Sequence, residues 1–213
     1  VSRGLVTGTS KSTFKPNDPM TRGELVTALG RLSGVDVSGY KTSSFTDVKV
    51  GSDVHPYIEW AYKAKIIQGV GNGKFAPERA ITREEFALIL YNYAKATEYV
   101  LPVTRFEVTY DDHSKIGSAY KEAVKAMQQA GILMGDSNNR LNPGSITTRA
   151  EASAMLTRYI KLTIDPDTTL GWVKNDVGQW MYYDEGKAIT GWMDIEVYGN
   201  TNRYYFSTYG VMI

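Results

Sequence analysis

Apolar residues recur at i, i+3, i+4 and i+7 in three separate stretches: Leu25, Ala28, Leu29 and Leu32; Phe86, Ile89, Leu90 and Tyr93; and Ala152, Met155, Leu156 and Tyr159. That spacing lays one apolar stripe along a helix of 3.6 residues per turn. Each stretch opens on Thr-Arg-x-Glu, at Thr21-Arg22-Gly23-Glu24, Thr82-Arg83-Glu84-Glu85 and Thr148-Arg149-Ala150-Glu151. A threonine N-cap with glutamate three positions on predicts a capping box, in which the hydroxyl and the carboxylate satisfy backbone N–H groups that the first turn leaves open. A second helical pattern precedes two of these stretches. Pro56 can occupy a first-turn position before Tyr57, Trp60, Ala61 and Ala64, and Val124, Met127 and Ala130 give the matching stripe. Near the C-terminus the period changes. Gly171-Trp172 recurs as Gly191-Trp192, with Trp180, Tyr182, Tyr183 and Gly186 between them and Tyr204-Tyr205-Phe206 and Gly210 after. Alternating aromatics separated by Asn, Asp and Gly predict β-hairpins.

The helical patterns belong to an internal repeat. Segments beginning at Gly4, Lys65 and Gly131 superimpose without gaps. In each, a glycine (Gly8, Gly69, Gly135) is followed six positions later by an apolar residue (Phe14, Phe75, Leu141), then a proline (Pro16, Pro77, Pro143), then Thr-Arg-x-Glu. The unit is helix, Gly/Pro loop, capped helix, and neither helix is long enough to bury its stripe alone, so the copies are expected to pack on one another. Copies two and three carry aromatic-acidic turns ahead of the first helix, at Phe45-Thr46-Asp47-Val48 and Tyr110-Asp111-Asp112. Copy one lacks the corresponding helix and turn, because only seven residues precede Gly8.

Composition excludes more than it suggests. With 24 basic and 23 acidic residues in 213, the net charge of +1 offers no broad footprint for nucleic acid or an anionic membrane. There is no cysteine, so no disulfide framework or thiolate site, and the two histidines stand apart. No apolar run approaches the length of a membrane span. Val1-Ser2-Arg3-Gly4 has neither an initiator Met nor a signal-peptide stretch, which suggests an internal piece of a larger protein. Ten of the 25 aromatics fall within 171–213, marking that part as separate.

Phe45-Thr46-Asp47-Val48, Ile66-Ile67-Gln68-Gly69, Phe75-Ala76-Pro77 and Ile81-Thr82-Arg83-Glu84-Glu85-Phe86 together resemble the S-layer homology (SLH) family, and Thr148-Arg149-Ala150-Glu151 matches its T-R-A-E letter for letter. Gly23 and Glu84 depart from that alanine, and Tyr110-Asp111-Asp112 is a loose F-x-D-V. The resemblance implies a mainly α fold, a pseudo-threefold bundle of three repeats. It further implies non-covalent anchoring to the secondary polysaccharide of a Gram-positive cell wall, through a pyruvylated N-acetylmannosamine unit bound in grooves between repeats. The expected organisation is repeat 1 at 1–38 without its first helix, repeat 2 at 39–101, repeat 3 at 102–164, a linker at 165–170 and hairpins at 171–213. The hairpin segment resembles choline- and glucan-binding cell-wall repeats, which makes choline or glucan candidate ligands there.

A pyruvate ketal displays a carboxylate on a sugar, which a guanidinium fork at a helix N-terminus suits. The capping box accounts fully for Thr21, Thr82, Thr148, Glu24, Glu85 and Glu151. Nothing in a helix start requires arginine, so Arg22, Arg83 and Arg149 are expected to bind ligand. Gly8, Gly69 and Gly135 read as turn or C-cap glycines first and backbone donors to ligand second. Trp60, Tyr57 and Tyr120 could line a groove, although core placement suits their stripes better. Trp172, Trp180, Trp192, Tyr183 and Tyr205 are either cage aromatics or hairpin-stacking core, with the core favoured. No metal or cofactor is expected, since the Asp/Asn clusters at 165–167 and 135–139 read as turns. Hydrolysis would need two carboxylates flanking a glycosidic bond, and the repeated acids are already explained as caps. A non-catalytic extracellular anchor is therefore expected, with a structural or self-assembly module, or a scaffold for a fused exported enzyme, as the rival.

Overall fold

A computed structural model describes residue 6 and residues 13–163, 171–174, 180–184, 187–197, 199–207 and 210–213. Gly8, Gly186 and the expected linker at 165–170 lie outside them. Among the described residues are five α-helices: α1 (Arg22–Ser33), α2 (His55–Lys63), α3 (Arg83–Ala96), α4 (Lys121–Gln129) and α5 (Arg149–Thr163). Five short strands follow: β1 (Gly171–Lys174), β2 (Trp180–Asp184), β3 (Lys187–Ala188), β4 (Gly191–Val197) and β5 (Asn200–Phe206). The chain is mainly α, and no described helix is long and apolar enough to cross a membrane. It folds into two compact units, Val1–Val100 with Ser114–Val124 and Asn142–Ala154, and Leu101–His113 with Lys125–Leu141 and Met155–Ile213.

All three Thr-Arg-x-Glu motifs open helices as the pattern predicts. The Thr21 hydroxyl accepts from Glu24 N at 3.1 Å while the Glu24 carboxylate accepts from Thr21 N at 2.8 Å. Thr82 and Glu85 repeat this at 3.3 and 3.1 Å, and Thr148 and Glu151 at 3.2 and 2.8 Å. Helix α1 stops at Gly34, whose φ of 64° suits glycine and closes the last turn. The predicted stripes are the buried faces: Leu25, Ala28 and Leu29 on α1, Phe86, Ile89, Leu90 and Tyr93 on α3, and Ala152, Met155, Leu156 and Tyr159 on α5.

In the first unit the residues just ahead of the three helix starts form a closed ring of backbone hydrogen bonds. Met20 N donates to Thr147 O at 3.0 Å, Ile81 N to Met20 O at 2.9 Å and Thr147 N to Ile81 O at 2.9 Å. One buried residue from each repeat thus meets the other two. Tyr57 of α2 packs on Gly30 of α1 so closely that a Cβ there would lie 2.3 Å from the ring, which makes Tyr57 an inter-helix contact. Trp60 is likewise buried, edge-on to Tyr93 with centroids 6.4 Å apart.

The second unit carries the hairpins. β1, β2 and β3 form one antiparallel sheet and β4 and β5 another, with Trp192 opposite Tyr205 and Asp194 opposite Arg203. Trp172 is the hub between them. Its ring meets Trp180, Tyr182, Tyr204 and Phe206 at centroid distances of 6.0, 5.3, 4.8 and 5.9 Å. The C-terminal residues return to pair beside both sheets, Met181 with Val211 and Phe206 with Met212. Of the aromatics expected to stack, Trp172 and Trp180 are in ring contact and Trp192 meets Tyr205 at 5.1 Å, while Tyr183 is half-buried. Trp192, Trp180 and Tyr205 are exposed, Trp192 by 68%.

Candidate functional site

The F-x-P loops have a conformation that explains much of the site. The residue between the apolar anchor and the proline has positive φ in all three copies: Lys15 at 51°, Ala76 at 58° and Asn142 at 54°. The residue before a proline is disfavoured in the right-handed helical region, and here the chain turns to the left-handed one, an uncommon and strained choice for non-glycine residues. The proline carbonyls of these turns accept from the helix starts of the neighbouring repeat. Gly23 N donates to Pro77 O at 2.8 Å, Glu84 N to Pro143 O at 3.1 Å and Ala150 N to Pro16 O at 2.9 Å. First-turn N–H groups that an isolated helix would leave to water are thereby satisfied.

The motif arginines extend the same docking. Arg22 is only 5% exposed; its Nε donates to Phe75 O at 3.0 Å and its Nη2 to Gln68 O at 3.2 Å, while Nη1 lies 3.4 Å from the Glu85 carboxylate. Its guanidinium also covers the Phe75 ring at 4.6 Å. Arg149, 3% exposed, repeats this on the first copy: Nε donates to Phe14 O at 3.0 Å, Nη1 pairs with Glu24, and the guanidinium covers the Phe14 ring at 5.0 Å. Arg83 reaches Glu151 at 3.4 Å. Arginine therefore has a structural task that a single helix start does not reveal. It fastens one repeat to the proline loop of the next.

The acidic turns hold these loops from behind. The Asp47 carboxylate accepts from Phe75 N at 2.9 Å and Ala76 N at 2.8 Å, and Asp112 accepts from Leu141 N at 2.9 Å. Burial pushes the Asp47 pKa up, but the bonds from Phe75 and Ala76 outweigh it and hold the carboxyl below the usual range. Gly69 and Gly135 owe their identity to close approach. A Cβ on Gly69 would lie 2.7 Å from Lys74 O and 2.9 Å from the Phe45 ring; on Gly135 it would lie 2.7 Å from the Tyr110 ring and 3.1 Å from Arg140 O. Neither residue has positive φ, so the turn or cap conformation expected of them is replaced by a packing requirement. The left-handed position falls four residues earlier, at Lys65 and Gly131.

Where Arg22 meets the second repeat, a cleft of about 340 Å³ is lined by Gln68, Gly69, Arg79, Glu85 and Tyr120 among others. Arg22 lines its inner wall. The Arg79 side chain is 43% exposed and pairs with Glu85 through one terminal nitrogen, a contact that does not use the other N–H donors of its planar fork. Burial of Glu85 pushes its pKa up, but the Arg79 bond, the Thr82 N–H and Arg22 together hold it below the usual carboxylate range. Burial lowers the Arg22 pKa against the pull of Glu85, and a guanidinium stays charged regardless. Tyr120 contributes a half-buried ring, its phenol pushed up by burial and then by Glu85 and Glu84. Two cations, one carboxylate and an aromatic face suit an acidic sugar better than a neutral one.

The model of the S-layer homology domain matches residues 1–26, 44–87 and 109–153, more than half of the chain. The chain belongs to the S-layer homology family. SLH domains anchor surface proteins to the cell wall, and proteins that carry them are associated with the cell surface or wall. Among relatives of this SLH chain, the S-layer protein of Bacillus thuringiensis subsp. finitimus is 29% identical over 163 residues, 76% of the chain and 19% of that protein. The cellulosome-anchoring protein of Acetivibrio thermocellus is 24% identical over 180 residues, 83% of the chain and 40% of that protein. An endoglucanase of Bacillus sp. (strain KSM-635) is 30% identical over 156 residues, 73% of the chain and 16% of that protein. The chain spans less than half the length of each of these relatives.

Of the residues the SLH pattern singled out, Arg22 and Gly69 meet at the cleft, with Glu85 beside them and Tyr120 completing the wall. Arg149 and Glu24 pair at the first proline loop, and Arg83 and Glu151 pair at the second helix start. Arg79 stands apart from the repeated motif residues. Asp18 and Ser145 hold the place of Arg79 in the other copies, so it carries no repeat signal.

Proposed function

We propose that the chain is a non-catalytic wall-anchoring module whose cleft at Arg22, Gln68, Gly69, Arg79 and Tyr120 takes an acidic sugar of the secondary cell-wall polysaccharide. The favoured sugar is pyruvylated N-acetylmannosamine, and the favoured setting is the outer wall of a Gram-positive bacterium. The observation that carries the proposal is that the part-exposed Arg79 and the buried Arg22 line one cleft together with Gln68, Gly69 and Tyr120. The sugar carboxylate pairs with Arg79, the Arg22 charge adds to the local field, and the Tyr120 ring meets the apolar sugar face. The three repeats, at 1–38, 39–101 and 102–164, form a pseudo-threefold bundle; the ring through Met20, Ile81 and Thr147 and the stepwise docking of helix starts on proline loops support that arrangement. Arg83 and Arg149 serve equivalent places in it, more as inter-repeat fasteners than as ligand forks.

Cosedimentation with purified pyruvylated wall polysaccharide tests the proposal. The protein is expected to pellet with the native polysaccharide and to stay in solution after mild acid has removed pyruvate. Equal binding to both would refute the charged-sugar reading. Sedimentation without glycan would instead favour self-assembly, and release of new reducing ends would favour hydrolysis.

A further inference from the structure

The Ile67-Gln68-Gly69 segment that lines the cleft at Arg22 also lines a second, larger one of about 720 Å³, within the second repeat. This second cleft is lined by Lys63, Lys65 and Lys74 and by no carboxylate, in a chain whose net charge is only +1. Tyr62 stands at its lip, 42% exposed and edge-on to the Phe45 ring at 4.9 Å.

One of the three lysines has a bland explanation. Lys63 lies in the last turn of α2, where a cation complements the helix dipole, and it reaches Glu59 at 3.6 Å. Lys65 has no such excuse. It sits just past α2 with φ of 59°, at the position where the other copies have Gly4 and Gly131, and Gly131 has φ of 72°. Glycine meets this conformation without strain, whereas a residue with a Cβ is disfavoured there. The second repeat has thus taken a strained lysine where glycine would be more stable, and strain kept in a fold points to a function. Lys74, bridged to Gly71 across a tight turn, stands where the first copy has Thr13 and the third has Arg140.

We infer that this lysine cleft is a second subsite for an acidic polysaccharide, holding an anionic residue of the same chain whose first charged sugar enters the cleft at Arg79. The inference rests on the glycan reading above. The two clefts share one wall, so a polymer crossing Gln68-Gly69 would occupy both, and the exposed Tyr62 ring offers apolar contact to a sugar face. A monosaccharide would fill only the first.

The test is calorimetric titration of the whole chain with two probes: pyruvylated N-acetylmannosamine alone, and the pyruvylated wall polysaccharide released from Bacillus walls. The triple variant Lys63→Gln, Lys65→Gly, Lys74→Gln is expected to bind the polymer about three- to thirtyfold more weakly, as three exposed ion pairs of ordinary strength would give, with monosaccharide affinity unchanged. Lys65→Gly alone is expected to melt no lower than the parent while losing polymer affinity, opposite signs that a purely structural lysine would not give. Unchanged polymer affinity in the triple variant overturns the second subsite and leaves the first standing. Failure of the parent to bind either probe overturns both.

Discussion

Removing Arg22 separates its role in the fold from any role in binding. In Arg22→Ala the carbonyls of Phe75 and Gln68, which accept from the guanidinium at 3.0 and 3.2 Å, lose their donors at a position where the side chain is almost fully buried. Leaving a buried acceptor unsatisfied costs about 1–3 kcal/mol, and partial access of water to Gln68 in the cleft places that one near the lower end. The cation–π contact with Phe75 adds about 0.5–1 kcal/mol. Glu85 keeps Arg79 as a partner, so its loss is smaller. The total is about 3–5 kcal/mol, a large share of a domain stability of about 5–15 kcal/mol. Urea denaturation of the purified chain, followed by far-UV circular dichroism, would read it as a lowered midpoint with unchanged slope. Arg22→Lys keeps the charge but cannot span both carbonyls, so it is expected to fall between Ala and the parent. A loss below about 1 kcal/mol for Arg22→Ala, close to what ordinary surface changes give, would refute the fastening argument.

Other expectations follow from the same geometry. Gly69→Ala forces a Cβ to within 2.7 Å of Lys74 O and 2.9 Å of the Phe45 ring, and overpacking of that kind is expected to cost about 1–3 kcal/mol in the same denaturation assay. Thr147 lies fully buried in the backbone ring, and among the described residues its hydroxyl finds no partner, so Thr147→Val is expected to raise stability by about 1 kcal/mol, seen as a higher melting temperature. Asp47 and Glu85 both have pKa values depressed in the folded chain. The unfolded chain therefore takes up protons first as pH falls through about 4, so the stability these groups contribute is present above that pH and lost below it. Melting temperature should drop between pH 5 and pH 3, and less steeply in Asp47→Asn.

The helices and their caps were legible because they are local. A Thr three positions before Glu and a stripe at 3.6-residue spacing involve neighbours on one helix, so α1, α3 and α5 begin where the motif places them. The hairpins followed from period and turn residues in the same way, though which aromatics face inward did not. Trp172 and Trp192 occupy equivalent places in the repeat, yet one is the packing hub and the other is exposed, because only Trp172 is met by Tyr204 and Phe206. The motif arginines were found for their recurrence, but their work depends on carbonyls 46 and 53 residues away, which no helix-level pattern encodes. Gly69 looked like a turn glycine, whereas its constraint comes from the Phe45 ring and the Lys74 carbonyl. Arg79 was invisible because it is not repeated, and it became significant only when the fold set it beside Glu85 at the mouth of the cleft.

Binding of the wall glycan in the cleft at Arg79 is the central claim. Titration of pyruvylated wall polysaccharide into Arg79→Ala, compared with the parent chain at the same ionic strength, tests it directly. A charge-assisted fork on the sugar carboxylate predicts about ten- to a hundredfold weaker binding, with a melting temperature close to the parent because the side chain is 43% exposed. Equal affinity in the parent and in Arg79→Ala would contradict the assignment of this cleft to the wall glycan.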